Sequence, residues 1–134
     1  VADAATQARP TAVVVDDDDQ IGQLVKFIVE REGFDVVLAR DGRAVQQLIA
    51  SAKAPAVIIL DIMLPFVDGL QLLAEIRAHA EWKVCPAIML TAKSQEKDIA
   101  RALDAGANDY LVKPFLPDDL RARIRRVVDA AAGQ

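Results

Sequence analysis

Five short apolar runs, each followed by a stretch with helical spacing, constrain this chain more than any other feature. Val13-Val14-Val15 runs into Asp16-Asp17-Asp18-Asp19, and Phe34 to Ala39 leads to Asp41-Gly42. Ala56 to Leu60 runs into Asp61, Ala87 to Leu90 into Thr91, and Tyr110 to Val112 into Lys113-Pro114. Between them, apolar residues recur every three or four positions, as on one face of a helix. Examples are Ile21, Leu24, Val25, Ile28 and Val29, then Val45, Leu48, Ile49 and Ala52, then Leu70, Leu73 and Ile76. Ile99, Ala102 and Leu103 mark a fourth helix, and Leu120, Ile124, Val127 and Val128 a fifth. Gly33 and Gly106 stand where helix stops are expected, and Pro117 with Asp118 and Asp119 where a helix starts.

Strand–helix alternation of this kind predicts an α/β fold with a parallel sheet, right-handed crossovers and helices on both faces. The third run is apolar at every position, as suits a strand covered on both sides. Ligands of such open sheets bind outside the carboxyl ends of the strands, where strand order reverses. The residues at those ends are carboxylates, a hydroxyl and a lysine, a set suited to a divalent metal and a phosphoryl group. Asp17 and Asp61 can share a metal only if the first and third strands are neighbours. The known doubly wound (flavodoxin-like) order 2-1-3-4-5 makes them so.

Composition narrows the rest. The chain has 134 residues, 53% of them apolar, which fits one domain with its own core. A net charge of −4 argues against a general nucleic-acid or anionic-membrane surface. Cys85 is the sole cysteine, so no intrachain disulfide is available. Residues 1–11 are expected to form a disordered or extended tail, 12–129 the folded domain, and 130–134 a second tail. No stretch approaches the ~20 apolar residues of a membrane span, and a cytoplasmic location is expected.

The ordered set of motifs resembles the receiver domains of two-component response regulators. Its marks are Asp16-Asp17, the segment Ile59-Leu60-Asp61-Ile62-Met63-Leu64-Pro65, Asp68-Gly69, Leu90-Thr91-Ala92, and Gly106 to Tyr110 followed by Lys113-Pro114-Phe115. The resemblance spans roughly Ala12 to Val128. It implies a phosphoacceptor switch rather than an enzyme with turnover, accepting a phosphoryl group on Asp61 from a sensor histidine kinase or a phosphotransfer protein. Mg2+, with Mn2+ as a substitute, would be held by Asp16, Asp17, Asp61 and the Met63 backbone carbonyl. Magnesium takes about six oxygens, several from water, which suits such a set. Thr91 and Lys113 would contact the phosphoryl oxygens, and Thr91 with Tyr110 would form the switch. Met63 and Lys93 would overhang the water path and set the lifetime of the phosphorylated state. The resemblance also implies a cis bond at Lys113-Pro114. A homodimer through the fourth helix, fifth strand and fifth helix is a further expectation, with Asp109 and Arg123 as an intersubunit pair. Direct contact with nucleic acid or membrane is not expected. With no effector sequence after Val128, the chain reads as a stand-alone regulator or as part of one whose effector domain lies beyond it.

Other readings compete. Asp16-x-Asp18, Thr91, Lys113 and Asp118-Asp119 mimic the order of residues in haloacid-dehalogenase-type phosphatases, although that reading leaves Asp61 without a role. A receiver-shaped module that takes no phosphate is a second alternative. Asp18 and Asp19 read as helix-cap or loop residues, and His79 as a lone histidine without a site. Trp82 reads as packing at a helix–loop junction, and Arg121, Arg123, Arg125 and Arg126 as a solvated helix face. Phe66-Val67 stands where related loops carry a glycine, so that loop is expected to be stiffer and more apolar.

Overall fold

The alternation of strand and helix signals is realised in full. The structure, a computed structural model, describes residues 9–92 and 97–133. Its elements run β1 (Thr11–Val15), α1 (Asp19–Arg31), β2 (Asp35–Ala39), α2 (Gly42–Ser51), β3 (Val57–Asp61), α3 (Gly69–Ala78), β4 (Ala87–Ala92), α4 (Lys97–Asp104), β5 (Asp109–Lys113) and α5 (Pro117–Ala132). The strands form one parallel sheet in the order β2-β1-β3-β4-β5. β1 and β3 are therefore adjacent, with Val15 level with Leu60, so that Asp16 and Asp61 leave the sheet side by side.

Side chains of successive strand residues point to opposite faces, and that alternation builds two cores. Val13, Val15, Ile58, Leu60 and Met89 pack beneath α2, α3 and α4, against Val45, Ile49, Leu72, Leu73, Ile76 and Ala102. Ala12, Val14, Val57, Ile59, Ile88 and Leu90 pack beneath α1 and α5, against Val25, Ile28, Leu120, Ile124 and Val127. β3 lies under both layers and is buried at all five positions. That burial explains why its sequence shows no alternation of polar and apolar residues.

The helix starts follow the sequence signals. Asp18, Asp41 and Asp68 each take the N-cap position and accept backbone N–H bonds from the first turn. Trp82 is fully buried, and its indole N–H donates to the Ala52 carbonyl at 3.1 Å, tying the α3–β4 turn to the end of α2. His79 serves that turn as well, its Nδ1 accepting from the backbone N–H groups of Glu81 and Trp82. The arginines of α5 split. Arg125 reaches back to Glu32 at the end of α1, and Arg121 pairs with Asp118 on its own helix.

Some boundaries differ from expectation. Thr11 belongs to β1, whose ladder it enters by accepting from Ala56 N–H. Arg9 is already docked, donating to the carbonyls of Glu30 and Gly33 at the end of α1. At the other end α5 continues to Ala132, because Ala130 to Ala132 favour helix whether or not they bury a face. β4 also runs on to Ala92, so Thr91 lies within the strand rather than after it. Among the described residues, no helix is long and apolar enough to cross a membrane.

Candidate functional site

The carboxyl ends of β1, β3, β4 and β5 meet at a cleft of about 570 Å³ lined by Asp16, Asp17, Asp61, Met63, Ala92 and Lys113, among others. Its acids are differentiated by their partners. Asp16 is 2% exposed, with Oδ1 accepting from the Asp18 N–H at 2.9 Å and Oδ2 from Lys113 Nζ at 3.0 Å. Asp18 caps α1, and Asp19 pairs with Arg40 at 2.7 Å. Asp17 is exposed, and its carboxylate has no hydrogen-bond or ion-pair partner among the described residues. Of the four consecutive acids, only Asp17 is left with its full acceptor capacity.

Asp61 ends β3 at 5% exposure. Its Oδ1 accepts from the Met63 N–H at 3.0 Å and its Oδ2 from Lys113 Nζ at 2.7 Å. The carboxyl is thus fixed at both oxygens, one by its own loop and one by the far strand. Its backbone is fixed too. Gly69, the first residue of α3, donates its N–H to the Ile62 carbonyl at 2.7 Å. A Cβ on Gly69 would overlap the Asp61 carbonyl oxygen and lie 2.8 Å from Ile62 Cα. Only glycine permits this approach, so the Asp68-Gly69 pair is a site feature as well as a helix start. The sequence shows the pair; the contact it serves is tertiary.

The charges at the cleft act on one another. Burial pushes the Asp61 carboxyl above its ordinary 3.8, with the Lys113 ammonium and the Met63 N–H pulling against it and Asp16 reinforcing the rise. Burial alone would lower Lys113, but its hydrogen bonds and charge contacts with Asp61 and Asp16 outweigh that and lift it above 10.5. Lys113 is therefore a firmly held cation shared by two carboxylates.

Asp16, Asp17 and Asp61 also place carboxylate oxygens within 4.8 Å of one another. Hard oxygen donors so gathered, one of them free of other partners, fit the requirements of Mg2+. Thr91 is fully buried, and its hydroxyl donates to the Ala92 carbonyl at 3.1 Å; Ala92, rather than Thr91, lines the cleft. Tyr110 is half-buried, its ring 5.6 Å from the Arg123 guanidinium. Lys93 lies outside the described residues. The bond before Pro114 is cis. Asp109 is satisfied within the chain, by Arg123 at 2.5 Å and Arg126 at 3.6 Å, because α5 passes directly over the start of β5. Asp109 and Arg123, expected as an intersubunit pair, are thus paired within one chain. The phosphatase-like order does not assemble either. Asp118 is exposed at the start of α5 in its pair with Arg121, Asp18 is a cap, and Asp61 occupies the centre of the cleft.

A sequence model of the response regulator receiver domain matches residues 12–125. The chain is 38% identical over 116 residues to the alkaline phosphatase synthesis transcriptional regulatory protein PhoP of Bacillus subtilis, covering 87% of this chain and 47% of that protein. It is 40% identical over 116 residues to the transcriptional regulatory protein SrrA of Staphylococcus aureus, covering 87% and 46%. The chain thus spans about half the length of the curated relatives it matches. Among solved structures, the Francisella response regulator 1452 receiver domain superposes with a TM-score of 0.80 at 34% identity, over 90% of this chain and 98% of that one. The receiver domain of sensor histidine kinase PA1611 from Pseudomonas aeruginosa, solved with a magnesium ion coordinated in its active-site cleft, gives 0.82 at 30% identity, over 91% and 99%.

Proposed function

The chain belongs to the response regulator receiver domain family, and from that premise we propose that Asp61 is its phosphoacceptor. One observation carries the reading. Lys113 Nζ bridges Asp61 and Asp16 at 2.7 and 3.0 Å, while the neighbouring Asp17 carboxylate keeps its oxygens for a cation. A carboxylate is a weak nucleophile toward an anionic phosphoryl group, so positioning and charge neutralisation must supply the rate. Asp61 is positioned by its two hydrogen bonds and by the Gly69 seam. Its Oδ attacks the phosphorus of a phosphohistidine, an O–P bond forms, and the P–N bond breaks with its electron pair returning to the imidazole. Lys113 is the cation that turns from the carboxylate to the phosphoryl oxygens. Asp16, Asp17, Asp61 and the Met63 carbonyl would hold Mg2+, or Mn2+ in its place, which supplies further neutralisation of the phosphoryl charge.

The donor is a sensor histidine kinase or phosphotransfer protein, and it must reach the cleft from outside. An apolar groove of about 190 Å³, lined by Ile21, Leu24, Lys113, Pro114 and Phe115, adjoins the acids and gives such a partner a surface to seat on. The output is a conformational switch. The Thr91 hydroxyl leaves the Ala92 carbonyl for a phosphoryl oxygen, and Tyr110 takes up the space vacated. The differential contact with the phosphoryl group supplies the energy of the shift. Met63, exposed beside the cleft, and Lys93 then set how easily water reaches the phosphorus. We further propose that the module works in the cytoplasm without turnover of its own. Dimerisation through α4, β5 and α5, and an effector domain outside this chain, would transmit its state. Intact mass after acetyl phosphate and Mg2+ tests the core of this reading: one phosphoryl group is expected on the wild type and none on Asp61→Asn. A full adduct on the variant would overturn the assignment.

A further inference from the structure

The loop that leaves Asp61 closes on a γ-turn with phenylalanine at its apex. Val67 N–H donates to the Pro65 carbonyl, two residues back, at 2.8 Å, and Phe66 between them has a φ of 70°. A γ-turn with positive φ at its centre is rare and strained, the more so with a bulky side chain. Such a conformation persists only where surrounding contacts over-determine it. Here the contacts come from the start of α2. A Cβ on Gly42 would lie 2.5 Å from the Val67 carbonyl oxygen and 2.6 Å from Val67 Cβ, so helix and loop meet backbone to side chain. The next residue, Arg43, lays its guanidinium over the Phe66 ring at 3.9 Å from the centroid. Asp41 caps α2 through the Ala44 N–H, which fixes the turn of helix that carries Arg43. Phe66 is 67% exposed, so the arginine stacks on a ring that the core does not bury.

We propose that Arg43 is a positioning residue for the metal site: stacked on Phe66, it holds the strained Pro65–Val67 turn and, through it, the Met63 segment that faces the cleft. Arg43 does not line that cleft itself. The proposal rests on the reading of Asp16, Asp17, Asp61 and Met63 as the Mg2+ site.

The sign of the effect separates positioning from charge. Deleting a cation near a metal site would, by charge alone, tighten Mg2+ binding; loosening the loop weakens it. The experiment is a Mg2+ titration of the whole chain, followed by the amide shifts of Asp17, Ile62 and Met63 in heteronuclear NMR spectra. Thermal midpoints confirm that each variant folds. Arg43→Ala and Phe66→Leu are each expected to weaken Mg2+ about two- to five-fold, the range of an exposed cation–π contact. The double variant should be no weaker than either single one. In a Phe66→Gly background, where glycine adopts the turn without strain, Arg43→Ala should no longer weaken Mg2+ binding, leaving at most the small tightening expected from charge alone. Unchanged or tighter binding in Arg43→Ala, or additive losses in the double variant, would overturn the positioning role alone. A wild type that does not bind Mg2+ at these amides, or an Asp17→Asn variant that binds as tightly, would instead overturn the metal site and the proposal with it.

Discussion

Lys113→Met removes the ammonium while keeping most of the apolar stem beside Ile21 and Phe115, so it isolates the charge. Asp16 and Asp61, with side chains 0% and 7% exposed, are then left facing each other without a cation. Breaking a buried ion pair by removing one partner costs about 3–5 kcal/mol. The fold has one escape, which is to bind a proton. Keeping a carboxyl of ordinary pKa 3.8 protonated costs about 1.4 kcal/mol per pH unit above that value, which caps the penalty near ~4 kcal/mol at pH 7 and ~2 at pH 5. The variant should therefore lose about 3–4 kcal/mol at pH 7 and roughly 10 °C in thermal midpoint, and about half as much free energy at pH 5. The sign at high pH runs the other way. Lys113 titrates above 10.5 in the folded protein, so its contribution is whole below that value and lost as pH rises through its folded pKa. The gap between wild type and variant widens from pH 5 to 7 and closes in strong alkali. Mg2+ should stabilise the variant more than the wild type, since no ammonium competes for the same oxygens. Urea unfolding at pH 5, 6 and 7, with and without Mg2+, measures all of this. A gap below about 1 kcal/mol at pH 7, or one equal at pH 5 and 7, would mean that solvent already screens the two acids and that the lysine is not their counter-ion.

Gly69→Ala forces its methyl into the Asp61–Ile62 backbone. A loss of about 1–3 kcal/mol or more is expected, together with weaker Mg2+ binding by calorimetry; a wild-type midpoint would refute the seam. Arg77 sits at the opposite sheet edge and donates to the carbonyls of Lys83, Cys85 and Gly106 and to Asn108 Oδ1. Arg77→Ala should cost about 2–4 kcal/mol by stranding those acceptors and leave the rate of phosphoryl uptake from acetyl phosphate unchanged. A slowed rate at full folding would show that this staple reaches the acceptor.

The features legible in the sequence were those governed by near neighbours. Short apolar runs and period-3.6 patterning marked all ten elements, and strand-end chemistry at Asp17 and Asp61 selected the strand order that the sheet adopts. Capping by Asp18 depends on residues within three positions of the cap, so it too was visible. The patterns blurred at the ends, at Thr11, Ala92 and Ala132, where ladder bonds or alanine propensity carry an element past its apolar face. The remaining decisions belong to the tertiary structure. Of the four adjacent aspartates, Asp16 faces Lys113, ninety-seven positions away, Asp19 meets Arg40, and Asp17 stays open, partners that no local pattern assigns. Asp109 turned inward to Arg123, Gly69 met Asp61, Arg77 gathered two loops, and Arg43 covered Phe66. Each of these contacts joins elements brought together by crossovers and strand register. Charge and packing depend on distance in space, which local periodicity does not encode.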